Sequence, residues 1–254
     1  MSRNHVLHHL RACAIPLLLL AFQPAAALAQ ACTGFAPLDD TRYRASAGIA
    51  NYRYATGYSA SLTAGRPLHA TATFQWVNDE ELEASSYRTT VEGGVTWSPL
   101  NDALSICPVV GLTYATVPFR TLRYGEGVGF RDISVSGGLD AAILVRLNER
   151  VSILPAGTVR VIRMWGRRIT QCGTINNRCH EPGHNVYWVV GGGVGFALND
   201  RITIRPGVTV PLDFPPALRG DWLVPFGREE NEIALELSVG FNFGSRGRGT
   251  GGDR

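Results

Sequence analysis

The chain has 254 residues and a formal net charge of +3, from 24 basic and 21 acidic side chains. Every basic residue is Arg, which excludes chemistry built on a lysine amine, such as a Schiff base or a Walker-type phosphate loop. The near balance of charge, with no clustered basic face, excludes nucleic acid as the expected partner.

Residues 1–29 read as a secretory leader. A polar start with Arg3 and Arg11 precedes the apolar run "AIPLLLLAF" (Ala14 to Phe22), then Pro24 and small residues up to a cleavage point after Ala29. That run is about half of the ~20 residues a spanning helix needs. A lipoprotein signal competes with this reading, because Cys32 follows "LAQA". Residues 30–42 form a short N-terminal segment. No later stretch reads as a membrane helix; "VYWVVGGGVGFAL" is too short and too rich in glycine.

From Tyr43 onward the sequence alternates with period two. The expected strands are Tyr43–Tyr52, Gly57–Ala64, Ala70–Asn78, Tyr87–Trp97, Ala103–Val117, Asp132–Leu147, Val151–Trp165, Asn185–Leu198, Arg201–Asp213 and Glu232–Phe243. Short turns such as "GRPLH", "SPLND", "LNER" and "LND" alternate with longer polar links such as "DEELEASS" and "PPALRGDWLVPFGREE". In an up-and-down barrel this rhythm puts the short turns and both ends at one rim, and the long links at the other. The expected fold class is therefore all-β: an up-and-down antiparallel transmembrane barrel of about 10 strands over residues 43–243.

The polar face decides which side looks outward. The last strand sets Ile233, Leu235, Leu237, Val239, Phe241 and Phe243 against Glu232, Ala234, Glu236, Ser238, Gly240 and Asn242. "YWVVGGGVGF" sets Trp188, Val190, Val194 and Phe196 against Tyr187, Gly191, Gly193 and Gly195. A water-facing exterior would carry many long charged side chains, whereas a narrow lumen needs small residues and a few charges that find opposite partners. Tyr43, Trp76, Tyr87, Trp97 and Phe243 fall near strand ends, as aromatic girdles do. The apolar face is expected to meet lipid.

With these strands and the closing "LSVGFNF", the chain resembles the small outer-membrane β-barrel proteins of diderm bacteria. In that family an aromatic-ended last strand is read by the barrel-assembly machinery. The resemblance implies the outer membrane as location, its lipids and that machinery as partners, and Gly240, Phe241 and Phe243 as the insertion signal. The glycine-rich tail over residues 244–254 is expected to be a disordered periplasmic extension.

An exported chain makes disulfides the default state of Cys32, Cys107, Cys172 and Cys179. Cys172 and Cys179 would close a small ring in one long link. Cys107 points into the lumen by parity, close to a short turn, and a bond to Cys32 would pin the N-terminal segment inside or beneath the barrel floor. Lipidation of Cys32 is the alternative. "CGTINNRCHEPGH" also holds His180 and His184, but its spacing matches no zinc module, so no metal or other cofactor is expected. His69 is expected at a turn.

The luminal charges by parity are Arg88, Glu92, Asp140, Arg146, Arg160, Arg205 and Glu236. Paired with one another they would fill the lumen; unpaired they would line a narrow path for small solutes. The chain is expected to be non-enzymatic, with a structural role or a surface ligand held by its long loops. An enzyme would have to draw on His180 and His184, and a soluble ligand-binding barrel would require the opposite face assignment.

Overall fold

The computed structural model describes residues 32–38, 41–52, 55–65, 67–79, 84–99, 103–121, 127–171, 178–212 and 233–245. The expected leader and most of the expected tail lie outside the described residues. The strands are β1 (Thr41–Asn51), β2 (Ala55–Ala64), β3 (Leu68–Asp79), β4 (Ala84–Val95), β5 (Leu104–Thr121), β6 (Gly127–Ile143), β7 (Val145–Arg146), β8 (Val151–Gln171), β9 (Arg178–Leu198), β10 (Ile202–Leu212) and β11 (Ala234–Ser245). β7 continues β6 past Leu144, and both pair with β8. The described strands thus make ten staves.

Each stave pairs antiparallel with its neighbours in sequence, and β1 pairs with β11 from Thr41↔Ser245 to Asn51↔Leu235. The sheet therefore closes on itself, and its described strands leave no free edge within the apolar belt, which is what a spanning β-structure requires in a medium without water. β9 and β10 are joined by Asn199 and Asp200, with φ of 50° and 51°, the left-handed pair of a tight hairpin that Asn and Asp tolerate best. The short turns, the N-terminal segment and the end of β11 share one rim.

The faces separate as the alternation requires. Ile49, Leu62, Phe74, Leu112, Val135, Leu139, Leu237 and Phe241 are exposed on the outside, while Thr63, Ser105, Thr113, Ser134 and Thr203 are buried on the inside. An apolar belt around the whole circumference far exceeds the few hundred Å² a soluble monomer shows, so lipid is its solvent. Cross-strand rings cap the belt at both levels: Tyr43 and Phe243, 5.7 Å apart, near the short-turn rim, and Tyr58 and Trp76, 5.7 Å apart, near the other.

The strands of the middle run longer than alternation indicates. β8 and β9 each hold 21 residues, about 50 Å at a 40° tilt, twice the ~25 Å apolar band. Their outer parts, including "GRRITQ" and "RCHEPGH", stand beyond the apolar band, where both faces are polar and no apolar period marks the strand. Trp97 lies past the end of β4 and forms an isolated bridge with Ile106.

Candidate functional site

Cys107 is the fourth residue of β5 and points inward, fully buried. It is bonded to Cys32 with a Cα–Cα separation of 5.9 Å, so the Cys32 sulfur is not available for acylation. The bond draws residues 32–38 across the barrel floor as a strap. Gly34 adopts φ of 75° and passes so close to β9 that a Cβ on Gly195 would stand 1.9 Å from its carbonyl oxygen. Glycine is required at both positions, one for the backbone angle and one for the approach.

The rest of the strap is held by luminal side chains. The Ala36 N–H donates to Thr203 Oγ1 at 3.0 Å, and the Ala36 carbonyl accepts from Arg44 Nη2 and, at 3.2 Å, from Asn242 Nδ2. Asn242 Nδ2 also reaches the carbonyl of Pro37 at 3.0 Å, and its Oδ1 accepts from Arg44 Nε at 2.9 Å. The Arg44 guanidinium lies 5.2 Å from the Phe35 ring centre. Ala36 packs with Ala142, Leu154 and Ala197 in a small apolar cluster. Buried polar groups of the strap are thus met by partners, which is the condition for burying backbone at all.

Above the strap, Arg160 on β8 bridges two carboxylates. Its Nη1 pairs with Glu92 Oε2 on β4, and its Nη2 reaches Asp140 Oδ2 on β6 at 2.7 Å. Thr158 donates to Asp140 Oδ1 at 2.5 Å and accepts from Arg160 Nε at 3.2 Å. On the far wall Arg205 Nη1 stands 3.9 Å from Glu236 Oε2, whose other oxygen accepts from Thr209 at 2.7 Å. A cavity of about 380 Å³ lies between strap and charges, with Ser46, Ser61, Thr71 and Thr73 also on its wall. Hydroxyl pairs such as Ser46–Ser61 at 2.5 Å line the staves. Toward the long-link rim Arg88 donates to the Tyr187 hydroxyl, with Asp132 nearby, and Val77, Ala115, Phe130 and Met164 are buried.

Of the seven luminal charges named from parity, the structure brings Glu92, Asp140 and Arg160 together, sets Arg205 by Glu236, and puts Arg88 against Tyr187. Arg146 is exposed at the short-turn mouth, beside Pro37, Asp200 and Asn242. Arg44, Asp132 and Asn242 are inward too, and the period-two parity they share with Ser46, Ser134 and Gly240 is the signal that marks them. Two placements are corrected. His69 sits inside on β3, buried beside Thr63, Thr71 and the disulfide, instead of in a turn. His180, Glu181 and His184 lie on β9, opposite Ile169, Arg168 and Trp165, instead of in a loop. Cys179 is disulfide-bonded; Cys172, its expected partner, lies outside the described residues.

No family model matches the chain, and no curated protein matches it in sequence. Among solved structures, the translocator domain of the autotransporter NalP from Neisseria meningitidis matches with a TM-score of 0.50 and 12% identity, over 94% of this chain and 98% of that one. The N-terminal β-barrel domain of Pseudomonas aeruginosa OprF matches with a TM-score of 0.34 and 11% identity, over 80% of this chain and 98% of that one. The outer membrane protein Omp33 of Acinetobacter baumannii gives 0.32 and 9%, over 80% and 98%. The fold is that of outer-membrane β-barrels, and the closed sheet with its lipid-facing belt places the chain in the outer membrane.

Proposed function

We propose that the protein is a non-enzymatic outer-membrane barrel, closed at its periplasmic end by its own N-terminal strap, with a structural or surface-interaction role carried by the long external loops. The observation that carries this reading is the strap itself. Residues 32–38 are tied to β5 by a disulfide and to β1, β10 and β11 through Arg44, Thr203 and Asn242. A soluble-solute pathway does not need a disulfide and four hydrogen bonds across its floor; a plug does. The paired charges above the strap act in the same sense, since each removes a free ion from the lumen.

Gly240, Phe241 and Phe243 serve as the signal read by the barrel-assembly machinery in this proposal. Phe241 and Phe243 face outward, 48% and 38% exposed, with rings stacked 6.4 Å apart, so both aromatics are presented on the surface of the strand that closes the barrel.

A second reading, a narrow channel for small solutes, is favoured by the cavity of about 380 Å³, whose wall includes Glu92, Asp140, Arg160 and Arg205. Planar-bilayer conductance separates the two. A plug predicts no steps from the oxidised wild type, and steps from a variant lacking residues 30–38. Ion conduction by the oxidised wild type would overturn the plug in favour of the channel.

A further inference from the structure

Among the described residues, the outward face of the strands brings arginines together at one place. On β6 and β8, just beyond the apolar belt on the long-link side, Arg131, Arg163 and Arg167 are all exposed. Their parity is outward: Arg131 alternates with buried Phe130 and Asp132, and Arg163 and Arg167 flank buried Met164 and half-buried Gly166. Arg131 and Arg167 are direct cross-strand partners, and Arg163 stands opposite Val135, two positions along the same face. Trp165 lies between the two β8 arginines, and the Arg163 guanidinium sits 5.0 Å from its ring centre.

Like charges directly opposite on a sheet repel, and these three have no counter-ion among the described residues. Among the described residues, no carboxylate occupies the outward face of β5, β6, β8 or β9, and none pairs with these arginines. Followed along the same register, Arg131 leads through Thr116 to Tyr87, Trp76 and Tyr58 on β4, β3 and β2, and none of these is an arginine.

Depth identifies the missing anion. The outward residues of β8 from Val151 to Val161 are apolar or glycine, a span of about 25 Å at a 40° tilt. Arg163 follows at once, and Arg167 stands about 10 Å higher. The guanidinia therefore begin at the headgroup level, above acyl chains that lie on Val159 and Val161. Short turns and both ends mark the periplasmic rim, so the arginines belong to the outer leaflet. Guanidinium suits phosphate, which it grips in a bidentate, charge-assisted manner.

We propose that Arg131, Arg163 and Arg167 form a binding site for the phosphorylated glycolipid headgroup of the outer leaflet, with Trp165 holding Arg163 in place. The site is independent of whether the lumen conducts.

The test uses the folded full barrel in micelles, with diphosphorylated lipid A or the same lipid stripped of its phosphates, and counts retained lipid by native mass spectrometry. The wild type should retain the phosphorylated lipid about tenfold better than the stripped one, the scale of a lost charge-assisted contact. The variant Arg131→Gln/Arg163→Gln/Arg167→Gln should retain both at the lower level. The variant Arg42→Gln/Arg150→Gln/Arg201→Gln, altered at the periplasmic rim, should behave as wild type. Inorganic phosphate in excess should displace nothing. Equal retention of the two lipids by wild type, undiminished retention by the first variant, or displacement by free phosphate would each overturn the proposal. Heat-modifiable migration reports whether the variants fold; should the first fail, the two-lipid comparison on wild type decides.

Discussion

The Phe35 ring rests on the bare α-carbon of Gly240: a methyl group placed there would stand 2.7 Å from Phe35 Cδ1. One glycine thus belongs both to the closing strand and to the seat of the strap. Gly240→Ala should force the ring away and destabilise the barrel by about 1–3 kcal/mol, the range of overpacking. In a Phe35→Ala background the same change should be nearly silent, because the clash has no partner. Urea unfolding in micelles checks both. Equal losses in the two backgrounds would remove the contact as the cause.

The Cys32–Cys107 bond closes a loop with a sequence separation of 75 residues. In the chain-entropy account a loop of that length stabilises by about 4.5 kcal/mol. Cys32→Ser/Cys107→Ser should therefore unfold at lower urea than wild type, and reduction should shift the wild type at least as far, since it also opens the Cys179 bond. Gel migration after graded heating, with and without reductant, measures it.

Arg160 is the cation shared by Glu92 and Asp140. Arg160→Met leaves the buried Asp140 and half-buried Glu92 carboxylates facing each other and should cost about 3–5 kcal/mol. Adding Glu92→Gln and Asp140→Asn should restore most of that loss, since no unpaired charge remains. Failure of the triple variant to recover would show that Arg160 acts through packing.

Asn242 joins the strap to the wall through the carbonyls of Ala36 and Pro37 and through Arg44. Asn242→Leu should raise amide hydrogen exchange over residues 33–38 about tenfold or more, for contacts near 1 kcal/mol each, and leave β4 and β5 unchanged. Mass spectrometry of peptic fragments reads this directly.

Trp76, Trp97, Trp165 and Trp188 are all exposed on the outer wall. Lipids brominated along the acyl chain should quench tryptophan emission in reconstituted protein, and a water-soluble quencher should act weakly on Trp76 and Trp188. The reverse order would overturn the outward assignment of the apolar face.

Alternation is a local property, set by two-residue geometry, and this is why the sequence alone determined the staves, the rhythm of their connections, and which side of each strand meets lipid. Parity likewise placed Cys107, Glu92, Asp140 and Arg160 inside. It said nothing where both faces turn polar, and so the outer thirds of β8 and β9, with His180 and His184, read as loop. Height around a closed sheet depends on the summed register of every pairing, a quantity no segment contains. Only closure decided that Arg160 meets Glu92, 68 residues away, and that Asn242 and Arg44 grip the same carbonyl of the strap; the register of β6 on β8 set Arg131 beside Arg167.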